Sequence, residues 1–282
     1  MGTFGGHVVP GSCFILVSLW WTFSIYRKYY KSICNGEKFR SSTWFPLHEY
    51  PNFPLESLVK LVLVVIGITG ETVTGFDDNG IFVHINNGQH ITMFFFFGIQ
   101  SVVEILQFYK FPSIPPNAEY FTSILGFFIE GLLFSFHLHG RSHLDVLVHT
   151  LLVVAIAGCC FTTTLETFVR DQVIVSLARA FCTLLQGTWF YHVGFILYPP
   201  LPGMKQWASA DHNEMMLVVM YFTWHAAVGF GITLLIGSLV SLKYRRMLSS
   251  KELNDSCRLS LLRKEKSEFL PLNQVESDSD EV

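Results

Sequence analysis

Residues 145–168 read "DVLVHTLLVVAIAGCCFTTTLETF", and between Asp145 and Glu166 no residue carries a formal charge. An apolar stretch of about 20 residues is the length a helix needs to cross the hydrocarbon core of a bilayer. Six further stretches share the character of this one, at roughly 8–26, 54–75, 88–109, 119–138, 174–198 and 214–242. Short breaks rich in turn residues, such as "FDDNG" and "YPPLPG", separate them. None shows the alternating period of a barrel strand, so each is read as a helix, which satisfies its own backbone in lipid.

Composition agrees. Half of the 282 residues are hydrophobic, 27 are Phe, and 15% are charged; a soluble domain carries about 25% charge. Mean hydropathy is +0.40. The expected fold class is an all-α polytopic membrane protein. Residues 1–247 form a seven-helix transmembrane domain, and 248–282 are a polar cytosolic tail expected to be disordered. No basic residue precedes the first run, and the run is too long for a signal-peptide core, so it is expected to remain.

Lys and Arg set the expected orientation. Arg27, Lys28, Lys31, Lys38 and Arg40 follow the first run, and Lys243, Arg245, Arg246 and Lys251 follow the last. With seven spans these two regions share one side, and basic flanks favour the cytosol. The opposite loops carry only Arg141 and Lys205. The N-terminus is therefore expected outside or in a lumen, and the C-terminus in the cytosol. No basic patch with interleaved aromatics suggests nucleic acid. Of the six cysteines, none lies in an outer loop, so no disulfide is expected.

On this map every histidine except His48 lies at the midplane or further out. His137 and His139 end the fourth run, His143 occupies the following turn, and His149 sits one turn into the fifth. His7 and His90 open the first and third runs, His192 lies two turns below the outer end of the sixth, and His225 is near the midplane of the seventh. His84 and His212 fall in outer loops. Glu71 joins this layer, and Glu130 and Gln186 lie near the depth of His225. A second layer, toward the cytosol, holds Glu104, Glu166 and Arg179. Ionisable groups at such depths pair or line water, and Glu104 or Glu166 with Arg179 is the natural ion pair.

Imidazoles beside carboxylates suit zinc, copper or haem iron, and they suit proton relay. Satisfied structural histidines are the equally weighted alternative. The candidate ligand set is His90, His137, His139, His149 and His225, with His7, Glu71, Glu130 and Asp145 in support. Asp145 and His149 share a helix face at i, i+4. His137 and His139 can reach one ion together only if the helix unwinds there, and Gly140 favours such an ending.

Five segments carry a family resemblance: "GHVVPGSCFILVSLWW", "GQHITMFFFFG", "HLHGRSHLDVLVH", "LLQGTWFYHVGFILYPP" and "YFTWH". Together they resemble the transmembrane protein 45 family, including its transmembrane epididymal protein branch, from about residue 5 to 245. The matching positions include His7, Pro10, Gly11, His90, Glu130, His137, His139, Asp145, His149, Glu166, Gln186, Gly187, Trp189, Trp224 and His225. His192 departs from the family pattern. The resemblance implies a multi-pass membrane protein and supplies no reaction.

Three functions compete. One is a binding or transport protein with a His/Glu site open to the outer side. The second is an intramembrane metalloenzyme, either a zinc-dependent lipid hydrolase or a haem oxidoreductase. The third is a membrane scaffold without a site. Expected partners are the lipid bilayer and sorting adaptors at the tail, where "EKSEFLPL" loosely resembles an acidic-dileucine signal. The expected location is the plasma membrane or secretory or endosomal membranes.

Overall fold

The computed structural model describes residues 3–47, 50–136, 138, 140–208, 211–249 and 259. Seven helices follow one another: α1 (Phe4–Asn35), α2 (Leu55–Gly75), α3 (Ile85–Phe108), α4 (Ala118–Phe136), α5 (His143–Phe168), α6 (Val173–Leu197) and α7 (His212–Ser249). All seven are long and apolar enough to cross a membrane. The described residues contain no strand, only an isolated bridge between Phe76 and Phe82.

Boundaries match the apolar runs except at α1 and α7. Both helices continue past the apolar stretch through basic residues, and there they stack Tyr30 on Tyr244 with centroids 5.1 Å apart. The caps explain several ends. Thr3 Oγ1 accepts from the Gly6 amide at 3.0 Å, which satisfies one of the orphan donors at the start of α1. Gly36, at φ 68°, closes α1 in the left-handed conformation that costs glycine little. Gly140, at φ 76°, turns the chain between α4 and α5, and Ser142 caps α5. The tail expected from 248 onward lies outside the described residues, apart from the end of α7 and Leu259.

Packing runs in sequence around the bundle: α2 on α3, α3 on α4, α4 on α5, and α5 on α6, with α1 closing on α6 and α7. α6 is central, its Trp189 and Arg179 wholly buried. α1 meets it almost backbone to backbone: a Cβ on Gly11 would sit 2.9 Å from the Gly187 carbonyl oxygen, and a Cβ on Gly187 2.8 Å from the Ile15 amide. Small residues permit such approaches between membrane helices. α1 and α2, neighbours in sequence, have no comparable packing. A cleft separates them, tied at one end, where the Trp20 and Trp21 indoles donate to the two oxygens of Glu56 at 2.9 and 2.8 Å.

Many polar side chains are satisfied within their own helix. Thr69, Thr72, Thr150 and Thr164 each donate to the carbonyl four residues earlier, so they can face lipid without an orphan donor. Cys13, Cys159, Cys160 and Cys182 are free thiols. Cys34, near the end of α1, is disulfide-bonded, which corrects the expectation of none. That expectation rested on the compartment, whereas a disulfide also depends on which sulfurs the fold brings within reach.

Candidate functional site

The end of the bundle that holds the N-terminus carries a polar vestibule of about 230 Å³. Its walls include His7 from α1, Glu71 and Thr74 from α2, His90 from α3, His149 from α5, and Arg141 and Tyr198 from the flanking turns. On one side His90 Nδ1 lies 3.1 Å from Glu71 Oε1. On the other, Asp145 accepts from Arg141 Nη1 at 3.0 Å and lies 2.8 Å from His149 Nδ1. His7 stands between them, its ring 5.8 Å from that of His149 and 5.3 Å from Tyr198. His7 Nδ1 donates to the Thr3 carbonyl at 2.9 Å, and such a bond fixes which nitrogen carries the proton. Burial pushes the Tyr198 phenol above its ordinary pKa, and the negative charge of Asp145 adds to the effect.

Local sequence explains why these groups converge. The i, i+4 spacing stacks Arg141 over Asp145 and Asp145 over His149 across the start of α5. Asn87, two residues into α3, donates to the Glu71 carbonyl at 3.0 Å and to Thr74 Oγ1 at 2.9 Å. That bond seats the start of α3 on the end of α2, which brings His90 level with Glu71.

The structure divides the candidate ligand set. His90 and His149, with His7 and Glu71, line the vestibule, and Asp145 adjoins it through Arg141 and His149. His225 does not: its Nε2 lies 3.1 Å from His192 Nδ1, and the pair packs against Trp189 and the α7 side of α6. The reason is angular. His225 has a suitable depth, but α7 lies across α6 from α2 and α3. His137 and His139 lie outside the described residues. Among the described residues no group of three or more His, Cys, Asp or Glu side chains is arranged to hold a metal ion. Glu130 lies deeper, where Gln186 Nε2 donates to its Oε1 at 2.9 Å.

The opposite end holds a sealed network. Arg179 Nε and Glu166 Oε2 are 2.5 Å apart and both side chains are wholly buried. Ser176 donates to the other Glu166 oxygen at 2.6 Å, and Arg179 Nη2 to the Ser42 carbonyl at 2.7 Å. Glu104 pairs with Lys60 at 2.6 Å rather than with Arg179, and accepts from Ser57 and Gln100. Sequence reasoning missed Lys60, although a lysine inside an apolar run, four residues after Glu56, is a usable signal. Tyr198 and Asn87 were missed as well, and nothing in residue type or spacing marks them.

Residues 117–237 match the model described as "Family of unknown function (DUF716)". Transmembrane epididymal protein 1A of mouse (Mus musculus) is 24% identical over 240 residues, covering 81% of this chain and 77% of that protein. Transmembrane epididymal protein 1 of rat (Rattus norvegicus) is 24% identical over 238 residues, with the same coverage. The human protein of that name (Homo sapiens) is 26% identical over 163 residues, 58% of this chain and 59% of its own length. The matched region takes in α4, α5, α6 and most of α7, including Glu130, Asp145, His149 and Gln186. The chain is a multi-pass membrane protein whose residues 117–237 match that family model and which is similar over most of its length to the transmembrane epididymal proteins of mouse and rat.

Proposed function

We propose a non-enzymatic membrane binding or transport protein whose site is the histidine–carboxylate vestibule, facing the outside or a lumen. One observation carries the reading: α1, α2, α3 and α5 each contribute a polar side chain to a single cavity. A scaffold has no need to gather such groups around an empty space, because each costs free energy unless it finds a partner or water. The orientation draws support from Arg27, Lys28, Lys31, Lys243, Arg245 and Arg246, all at the end opposite the vestibule, as a cytosolic face requires. In this reading residues 248–282 are a cytosolic sorting tail, and deleting them changes location while the seven helices still fold.

A metal at the vestibule would draw on His90 and His149 together with His137 or His139. Stoichiometric zinc or copper in the purified protein, or the Soret band of haem, is the measurement that would move the reading toward the metalloenzyme.

The main test uses a membrane-impermeant maleimide on intact cells. Asn86→Cys at the mouth and Gly6→Cys deeper in the vestibule are both expected to react without permeabilisation. Reaction of Asn86→Cys only after permeabilisation would reverse the orientation. If Gly6→Cys stays unreactive from either side, the vestibule is closed and the binding reading is lost.

A further inference from the structure

At the end of the bundle opposite the vestibule, a lysine stands on the inward face of its helix. Trp21, Ile25, Lys28 and Ser32 follow one another along α1 at steps of four and three residues, so they share a face. Trp21, Ile25 and Ser32 are buried, and Lys28 Nζ lies over the Phe45 ring at 5.9 Å. An ammonium so placed normally meets a carboxylate. Among the described residues Lys28 has no ion pair, and the charges that act on it are Arg170, Glu166 and Arg40. Glu166 is already engaged by Arg179 and Ser176. The other two are cations.

The loop after α1 holds the three cations together. Arg170, in the turn between α5 and α6, donates from Nε to Ser41 Oγ at 3.3 Å and from Nη2 to the Ser41 carbonyl at 2.7 Å. Its own carbonyl accepts from the Ser41 amide at 2.7 Å. Arg40, the residue before Ser41, is thereby fixed beside Arg170. Arg170 Nη1 donates to Asn117 Oδ1, and Glu119 lies 3.9 Å away. Glu37 and Asp171, on the same two segments, are exposed and pair with none of the three. Lys28 and Arg40 are left without an acid among the described residues.

The preference of membrane proteins for basic cytosolic flanks does not account for this grouping. That preference needs neither an inward face nor convergence, and Lys31, Lys38, Lys243 and Arg246 meet it while fully exposed.

We infer that Lys28, Arg40 and Arg170 form an anion site at this mouth of the bundle, and that its ligand carries a phosphomonoester. The donors set the class. Lys28 offers three N–H groups and Arg40 five, and Arg170 keeps two of its five. They come from three chain segments, which suits a tetrahedral group with three terminal oxygens; a carboxylate presents two oxygens in one plane. A phosphomonoester also carries close to two negative charges at neutral pH, enough for both cations that lack an acid. Basic pockets at the ends of membrane helices take phosphorylated lipid headgroups, and soluble phosphate compounds present the same group. The site is separate from the vestibule and does not depend on it.

The test uses the full chain in nanodiscs of zwitterionic lipid, with three probes: inositol trisphosphate in solution, phosphatidylinositol bisphosphate in the disc, and phosphatidylserine in the disc at matched charge. Saturable binding of at least one of the two phosphomonoester probes is expected. Binding of the soluble probe supports the site and assigns it to free phosphate compounds; binding of the lipid alone supports it and assigns it to a headgroup. Lys28→Gln and Arg40→Gln are each expected to weaken binding about tenfold, the value of a hydrogen bond to a charged group. Lys243→Gln and Arg246→Gln remove the same charge from α7, where neither residue acts on Lys28, and are expected to change binding by less than about twofold, as exposed charges do.

Arg40 is exposed, so Arg40→Gln carries the test even if Lys28→Gln fails to fold. The inference is overturned if neither phosphomonoester probe binds, or if phosphatidylserine binds as tightly. Binding indifferent to Arg40→Gln, or weakened as much by the α7 variants, would reduce the grouping to diffuse attraction and overturn it as well.

Discussion

At one end of the bundle Glu104, Glu166 and Arg179 are wholly buried, and Lys60 is 14% exposed. At the other, Glu71, His90 and Asp145 keep between 18% and 28% of their surface. Both ends use carboxylates opposite nitrogen bases, at similar distances. The first set is held by Ser57, Gln100 and Ser176, and by the Ser42 carbonyl in the loop after α1; Arg179 Nη1 has no hydrogen-bond partner among the described residues, and its guanidinium lies over the Trp21 ring at 4.3 Å. The second set surrounds a cavity. Charges removed from water and paired with one another fix the packing of helices, and losing one member strands another. Charges that keep their water contribute little to folding and remain available to a ligand. The same residue types are therefore paired in a dry interior at one end and surround an open cavity at the other.

The sharpest way to break this contrast is Arg179→Met, which strands Glu166 in a dry interior. A loss of about 3–5 kcal/mol is expected, read as collapse of the monodisperse peak when the detergent-solubilised protein is passed over a sizing column. The double variant Arg179→Met with Glu166→Leu should recover much of that peak; no recovery would mean that packing, not charge, holds this region. Next in size is Lys60→Met. Glu104 keeps Ser57 and Gln100, so a smaller loss of about 1.5–3 kcal/mol is expected, measured as a lower thermal midpoint.

At the vestibule, His90→Ala or Glu71→Gln should cost about 0–1 kcal/mol and leave the midpoint nearly unchanged. A collapse there as large as that of Arg179→Met would erase the distinction between the two ends. The smallest effect belongs to the loop between α2 and α3. Asp77 accepts from the Asn79 and Ile81 amides at 3.0 and 2.8 Å, which holds its carboxyl below the usual aspartate value. A depressed folded-state pKa gives support that is present above the ordinary value and lost as pH falls through the lowered one. Faster amide exchange at Ile81 in acid, absent from Asp77→Asn at all pH values, is the expected signature.

How much of this was legible in the sequence depends on the quantity sought. Depth along a helix follows from 1.5 Å per residue, so the seven spans and the layering of Glu166 with Arg179 could be read directly. The ends of α1 and α7 could not, because a helix that leaves the membrane continues without an apolar signal. Direction around the bundle axis was hidden as well. His225 and His90 both occupy the vestibule half by depth, yet α6 stands between their helices. Lys60 was overlooked for a different reason: close to the start of an apolar run, a lysine resembles a flank at the membrane surface. Once it is missed, Glu104 has no partner in view except Arg179.

The contact of Gly11 with Gly187 has a mechanical consequence. With backbone resting on backbone, α1 cannot move closer to α6, and the indole bonds to Glu56 hold its lower part. The remaining freedom is rotation about the pin. Pro10 lies beside that pin and has no amide for the Gly6 carbonyl, so the arm from Phe4 to Val9 bends more easily than it slides. The gap between α1 and α2 therefore has a nearly fixed width at Gly11 and an adjustable one above it. Whatever enters that gap is gauged by its thickness rather than its length, as a caliper measures the width of a rod whatever extends beyond its jaws.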